Sequence, residues 1–237
     1  MLPVSETLGR GIFVSGTDTG VGKTLAAAAL ARFLADRGVR VGVMKPVESG
    51  VADPARLGED GALLRWASGC DAPDQLISPC RLKAPVAPSL AADLAGTPVD
   101  IDGLVAAARR LLERCEFLIV EGAGGLMVPL QDAFLVGDLA CRLGLPLVTV
   151  CRPGLGTINH TLLTLQAARC WGLRLAGLII SGMPAEPDLA EQYAPSMLAE
   201  LSGVEVLQVL SRVTGNARHK VATLSRQFSP AILEKLL

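Results

Sequence analysis

The chain has 237 residues, half of them apolar and only 3% aromatic, with a formal net charge of −1. Such a composition suits one large core of Leu, Val, Ile and Ala, with helices laid on a parallel sheet, so a single domain spanning residues 1–237 is expected. The charge balance offers no attraction to nucleic acid or acidic membranes, no apolar run approaches the roughly 18 residues of a membrane span, and the first ten residues hold no apolar leader core, so a cytoplasmic protein with neither partner is expected.

In chain order, GIFVSG reads as a buried strand that runs into the turn TDTGVGKT and then the helix-forming run LAAAALARFLADR. Gly16, Gly20 and Gly22 allow the turn to bring backbone N–H groups up to an anion, and the helix starting near Lys23 points its positive end at the same place. A nucleotide phosphate fits there, with Lys23 as a point charge and the Thr24 hydroxyl placed for magnesium. Five residues separate Gly16 from Gly22, one more than in the strict phosphate-binding loop.

After Gly38, VRVGVM reads as a second buried strand ending in KPVESG, which delivers Lys45 and Ser49 to a strand's carboxyl end, where open α/β sheets bind ligands. Residues 51–88 are the least regular part, an active-site loop region with a short helix over 60–67. IDGLVAAARRLLERC has helical periodicity with Asp100 or Asp102 at its start, and FLIV is a strand delivering EGAGGLMVPL, hence Glu121 at another strand end. VGDLACRLG reads as a helix, LPLVTVC as a strand, RPGLGTINHTLLTLQAARCWG as a glycine loop followed by an amphipathic helix, and RLAGLIISG as a strand. A helix over 188–202 and the strand VEVLQVL follow, and residues 211–237 are more polar and weakly patterned. About six or seven strands alternating with helices give a doubly wound, mostly parallel sheet with helices on both faces.

Lys23, Thr24, Lys45, Ser49 and Glu121 should therefore converge over the phosphate loop, as phosphoryl transfer requires: cations for the transferring group, acidic oxygens for magnesium. The six cysteines (Cys70, Cys80, Cys115, Cys141, Cys151, Cys170) are scattered without a CxxC pair and imply neither disulfides nor a zinc site. Several sit inside apolar runs and read as small core residues.

GTDTGVGKT, KPVESG, VEGAGGLMVPL and GTINHTLLTLQAARCWGLRLAGLIISG, in that order, resemble the dethiobiotin synthetase family, over about residues 11–181. The resemblance implies a cyclo-ligase that uses ATP, Mg2+ and CO2 to close a ureido ring on 7,8-diaminononanoate. It implies that Gly20, Val21, Gly22, Lys23, Thr24 and Leu25 hold the triphosphate, that Asp60, Glu121, Gly122, Ala123 and Gly124 surround the nucleotide, and that Thr24, Asp60 and Glu121 hold the metal. Lys45 and Ser49 would hold the substrate's amines or carbamate, Thr19 would donate to that carbamate, and Lys23 would bridge phosphate and substrate. It further implies a homodimer in which the loop carrying Leu155, Gly156 and Asn159 receives the substrate's carboxylate tail across the interface; on its own residues, Asn159 also reads as a helix N-cap, and His160 as packed or capping.

Two departures stand out. Ser181 and Gly182 occupy the place of an Asn that reads the adenine edge in many members; a serine cannot make that bidentate contact, so other nucleoside triphosphates should be accepted. The family's Gly and Pro near the last strand are missing from VLQVLSRV. The competing reading is a partition or septum-positioning ATPase switch, whose early loop lysine is replaced here by Thr17, Asp18 and Thr19; a relative that binds nucleotide without turnover is another alternative.

Overall fold

A computed structural model describes residues 10–236, so the leader question raised by the first residues lies largely outside the described residues. β1 (Gly11–Gly16) leads into α1 (Lys23–Ala35) and β2 (Val41–Met44) follows. β3 (Val47–Ser49) comes just before the irregular region, which holds α2 (Glu59–Ser68), α3 (Asp74–Ile77), β4 (Cys80–Leu82) and, at its end, α4 (Pro88–Ala95). α5 (Ile101–Leu112) and β5 (Phe117–Glu121) precede a hairpin, β6 (Pro129–Gln131) with β7 (Phe134–Leu135), and α6 (Val136–Leu143). The chain continues through β8 (Leu147–Cys151), α7 (Thr157–Cys170), β9 (Leu175–Met183), α8 (Leu189–Ser202), β10 (Val206–Ser211), α9 (Ala217–Ser225) and α10 (Ala231–Leu236).

Among the described residues, six strands form one sheet in the order β10-β9-β8-β1-β5-β2, and every neighbouring pair is parallel. This is the doubly wound parallel arrangement expected from the apolar runs, with helices around the sheet. Two short ribbons lie apart from it: β3 with β4, parallel, and β6 with β7, antiparallel. The register of the main sheet places the chemistry. Met44 pairs with Val120 and Val14 with Glu121, so Lys45 leaves β2 beside Glu121, and both stand next to the strand that feeds the glycine turn.

The core runs through the sheet, with Phe13, Phe117, Leu118, Ile119, Val148 and Ile179 buried. α1 buries an unbroken run from Ala26 to Ala31, and its small side chains let it lie close on the sheet while α2 and α9 cover it.

Residues 211–236 are more ordered than their weak pattern suggests, and form α9 and α10. Their apolar positions are few, but Val221, Leu224, Phe228 and Ile232 are all buried, and the Phe228 ring lies 5.6 Å from that of Phe33 on α1. Asn216 caps α9 by accepting from the His219 N–H. Among the described residues, no helix is long and apolar enough to cross a membrane.

Candidate active site

The glycine turn ends at Gly22, which holds φ 95° and serves as the α1 N-cap without a side-chain cap. The first N–H groups of α1 therefore remain available to a ligand. A Cβ at Gly22 would fall 2.4 Å from the Ser181 Oγ, so the end of β9 closes one side of the turn and only glycine fits between. Lys23 is buried and donates from Nζ to the Asp18 carbonyl at 2.8 Å, folding back over the turn. Burial lowers its pKa from the usual lysine value, against the pull of the Glu121 carboxylate.

Next to the turn lies a charged cluster. The Lys45 Nζ is 2.7 Å from Glu121 Oε1 and 2.8 Å from Asp60 Oδ2, and the Thr24 hydroxyl donates to Glu121 Oε1 at 2.8 Å. Glu121 is 0% exposed and Lys45 5%. Burial pushes the Glu121 carboxyl above the usual carboxylate range, with the Lys45 ammonium working against it. Burial would also lower Lys45, but Glu121 and Asp60 outweigh it and hold the ammonium above its ordinary value. Asp60, despite partial burial, is held below its ordinary value by the Lys45 ammonium and the hydrogen bond it donates.

Glu48, on β3, is a further buried carboxylate. It accepts from the backbone N–H of Asp60 at 2.8 Å and of Gly61 at 3.2 Å, at the start of α2. Burial raises its carboxyl, chiefly against the Asp60 N–H.

These groups surround a cavity of about 730 Å³. Of the residues singled out from the sequence, Thr19, Gly20, Gly22, Lys23, Thr24, Leu25, Lys45, Ser49, Asp60, Glu121, Ala123 and Gly124 line it. Val21 is buried against Gly16, and Gly122 packs where a Cβ would touch Phe13 and Val136 at 3.0 Å. Ser181 stands against Gly22, and Gly182 follows with φ 92°.

Leu155, Gly156 and Asn159 do not line this cavity. Leu155 is 90% exposed, and Asn159 is exposed in the first turn of α7. The capping reading of Asn159 is corrected: Gly156, with φ 91°, is the N-cap, because the chain must turn sharply before Thr157 and glycine alone takes that conformation freely. His160 Nδ1 lies 3.2 Å from an Arg152 guanidinium nitrogen.

Sequence reasoning missed Glu48, Pro85, Val86 and Val128, which also line the cavity. The signal for Glu48 was present in KPVESG: an acid between Val47 and Ser49 in a segment otherwise marked as buried. None of the six cysteines lines the cavity, and burial pushes the Cys80 thiol up to about 11.

The oxygen donors suit magnesium. Among the described residues, Glu121 Oε2 is buried without a hydrogen-bond partner, and the Thr24 hydroxyl and the Asp60 carboxylate stand beside Glu121 Oε1 and Lys45. Among the described residues no group of three or more His, Cys, Asp or Glu side chains forms a complete metal cage. Magnesium does not require one, since it binds through one or two carboxylates, with phosphate and water oxygens filling the rest.

A family model described as an AAA domain matches residues 10–218. The chain is 44% identical over 206 residues to the ATP-dependent dethiobiotin synthetase BioD of Bacillus licheniformis, covering 86% of each chain. It is 41% identical to that of Bacillus subtilis strain 168, covering 90% of this chain and 91% of the other, and 45% identical to that of Methanococcus vannielii, covering 84% and 92%. In fold, it superposes on the MinD cell division protein of Aquifex aeolicus with a TM-score of 0.56 at 15% identity, covering 97% of this chain and 91% of that one. A ParA family ATPase from Chlorobium tepidum gives 0.55 at 13% identity, covering 96% and 95%. At such identities the last two matches speak to the fold alone.

Proposed function

Because this chain belongs to the ATP-dependent dethiobiotin synthetase family, ligases of biotin biosynthesis, we propose that its cavity carboxylates 7,8-diaminononanoate and closes the product to dethiobiotin, releasing ADP and phosphate. The observation that carries the reading is the meeting of Lys23, Lys45, Thr24, Asp60 and Glu121 around one cavity at the strand ends. In this reading the residues from Gly20 to Leu25 offer backbone N–H groups to the triphosphate, and Lys23 exchanges the Asp18 carbonyl for phosphate oxygens. Thr24, Asp60 and Glu121 would hold Mg2+, which neutralises charge developing on the phosphates.

One amine of the diamine captures CO2 as a carbamate, with loss of a proton. Lys45, Ser49 and Thr19 hold the carbamate oxygens, and one of them attacks the γ-phosphorus in line while ADP leaves. The neighbouring amine then attacks the carbon of the resulting carbamic-phosphoric anhydride; phosphate departs, a proton is lost and the five-membered ring closes. Both reacting groups lie on one molecule, so positioning supplies much of the rate.

The tail loop fits a homodimer. Leu155, Leu163, Leu189, Tyr193, Met197 and Leu201 are exposed apolar side chains, five of them on α7 and α8, with Leu155 just before α7. Exposed apolar side chains on two helices packed against each other fit a protein interface. Leu155 and Asn159 do not line the cavity of their own protomer, and they would serve the partner's substrate across this face. The chain would act as one domain in the cytoplasm.

The test incubates the protein with diaminononanoate, bicarbonate, magnesium and ATP, and follows dethiobiotin by mass. Dethiobiotin formed in step with phosphate is the expected result. Phosphate release indifferent to the diamine would overturn the reading in favour of a nucleotide switch.

A further inference from the structure

We propose that Glu48 is a positioning residue, whose carboxylate grips the start of α2 and thereby sets the Asp60 side chain beside Lys45 and Glu121. It takes no part in the chemistry described above. Asp60 lies on a helix outside the main sheet, and its side chain is 37% exposed, so neither burial nor strand pairing fixes it. What fixes it is the segment from Lys45 to Glu48, which holds it at both ends. The Lys45 ammonium takes Asp60 Oδ2 at 2.8 Å, and Glu48 Oε1 takes the Asp60 backbone N–H at 2.8 Å. The second Glu48 oxygen takes the Gly61 N–H, so both carboxylate oxygens are engaged on α2.

The local sequence is shaped around this grip. The α2 N-cap residue is Gly58, which supplies no side-chain cap, so a carboxylate from a separate strand does the capping. Gly58 has φ −72° and ψ −178°, a conformation open to any residue, so backbone freedom does not explain the glycine. Space does: a Cβ at Gly58 would fall 2.2 Å from Glu48 Oε1 and one at Gly61 would fall 3.2 Å from Oε2. Ser49 follows Glu48 directly, so the same anchor also holds the residue assigned to the carbamate.

The inference rests on the reading of Asp60 as a metal ligand, and its test separates the two. Mn2+, standing in for Mg2+, is titrated by electron paramagnetic resonance into the full chain carrying a non-hydrolysable ATP analogue. Thermal unfolding of each variant is measured alongside. Asp60→Ala should weaken Mn2+ by about tenfold, and Glu48→Ala should do so by about the same factor, as losses of the groups that orient a metal ligand do. Gly58→Ala, which keeps every charge but displaces the Glu48 carboxylate, should follow Glu48→Ala, and Glu48→Gln should fall between it and the natural protein. In the Asp60→Ala background, Glu48→Ala should add less than about twofold, because the two act through one side chain.

A Glu48→Ala or Gly58→Ala protein that melts earlier yet binds Mn2+ within about twofold of the natural chain would reduce Glu48 to a helix cap and overturn the proposal. Additive losses in the double variant would overturn it too. If Asp60→Ala leaves Mn2+ affinity unchanged, the metal reading fails and the proposal falls with it. Should Glu48→Ala not fold, Gly58→Ala and Glu48→Gln decide the matter by the same criteria.

Discussion

Lys45→Met removes the one cation shared by two carboxylates. The ammonium sits 2.7 Å from Glu121 Oε1 and 2.8 Å from Asp60 Oδ2. Asp60, with its side chain 37% exposed, can turn to water, whereas Glu121 is 0% exposed and, among the described residues, keeps the Thr24 hydroxyl as its hydrogen-bond donor, with Lys23 the remaining cation acting on it. The cost therefore falls on Glu121. Unit charges about 4 Å apart attract by about 4 kcal/mol at an effective dielectric near 20, and removing one partner of a buried pair costs about 3–5 kcal/mol. Against a total stability of about 5–15 kcal/mol for a typical protein, that is a large fraction. Urea unfolding in the presence of a chelator and without nucleotide, so that no other cation takes the place of Lys45, should show this loss. Adding Glu121→Gln to Lys45→Met should return most of it, because a neutral amide no longer demands a counter-charge. Turnover should fall at least about a hundredfold in the single variant, as for loss of a donor to a reacting oxyanion. A Lys45→Met protein within about 1 kcal/mol of the natural one, or a double variant less stable than the single, would refute the reasoning.

Gly22→Ala should cost about 1–2 kcal/mol for its left-handed backbone alone and weaken ATP binding; Ser181→Gly in the same chain should return part of the loss by removing the 2.4 Å contact, and no recovery would contradict the packing. Phe228→Ala should destabilise by about 3–5 kcal/mol, read by thermal melting, because its ring is buried against Phe33 and holds the C-terminal helices to α1. Leu163→Asp with Tyr193→Asp should give a monomer in sedimentation, and Asn159→Ala should raise KM for the diamine more than for ATP; an unchanged dimer, or equal effects on both substrates, would count against the interface.

The main sheet was legible because its strands are continuous apolar runs, such as FLIV and LPLVTVC, and FLIV runs straight into Glu121, a charge that apolar burial could not explain. The glycine turn was legible for the same reason. The short ribbons were not. β3 and β4 have three residues each, too few to show a period, and the β6–β7 hairpin, of three and two residues, falls at and after the end of EGAGGLMVPL, where no element was read. α4 is introduced by Pro88 inside a proline-rich stretch, which masks a helix start as a break. α9 and α10 spread their apolar contacts over two short helices, so no window of the sequence carries enough of them to register. Within the site, residues that present side chains at strand ends could be named from position alone. Glu48 was flagged only as an acid in a buried run; its partner could not be named, since it binds backbone on an element whose place beside β3 only the folded chain defines.

The most direct measurement follows oxygen. With carbon dioxide labelled in oxygen and supplied in ordinary water, for a single turnover before the label washes out, a carbamate that attacks the γ-phosphorus must hand one labelled oxygen to the phosphate released. Phosphate carrying one labelled oxygen, formed only with the diamine present, is the predicted result. Unlabelled phosphate accompanying dethiobiotin, or phosphate formed equally well without the diamine, would contradict the account.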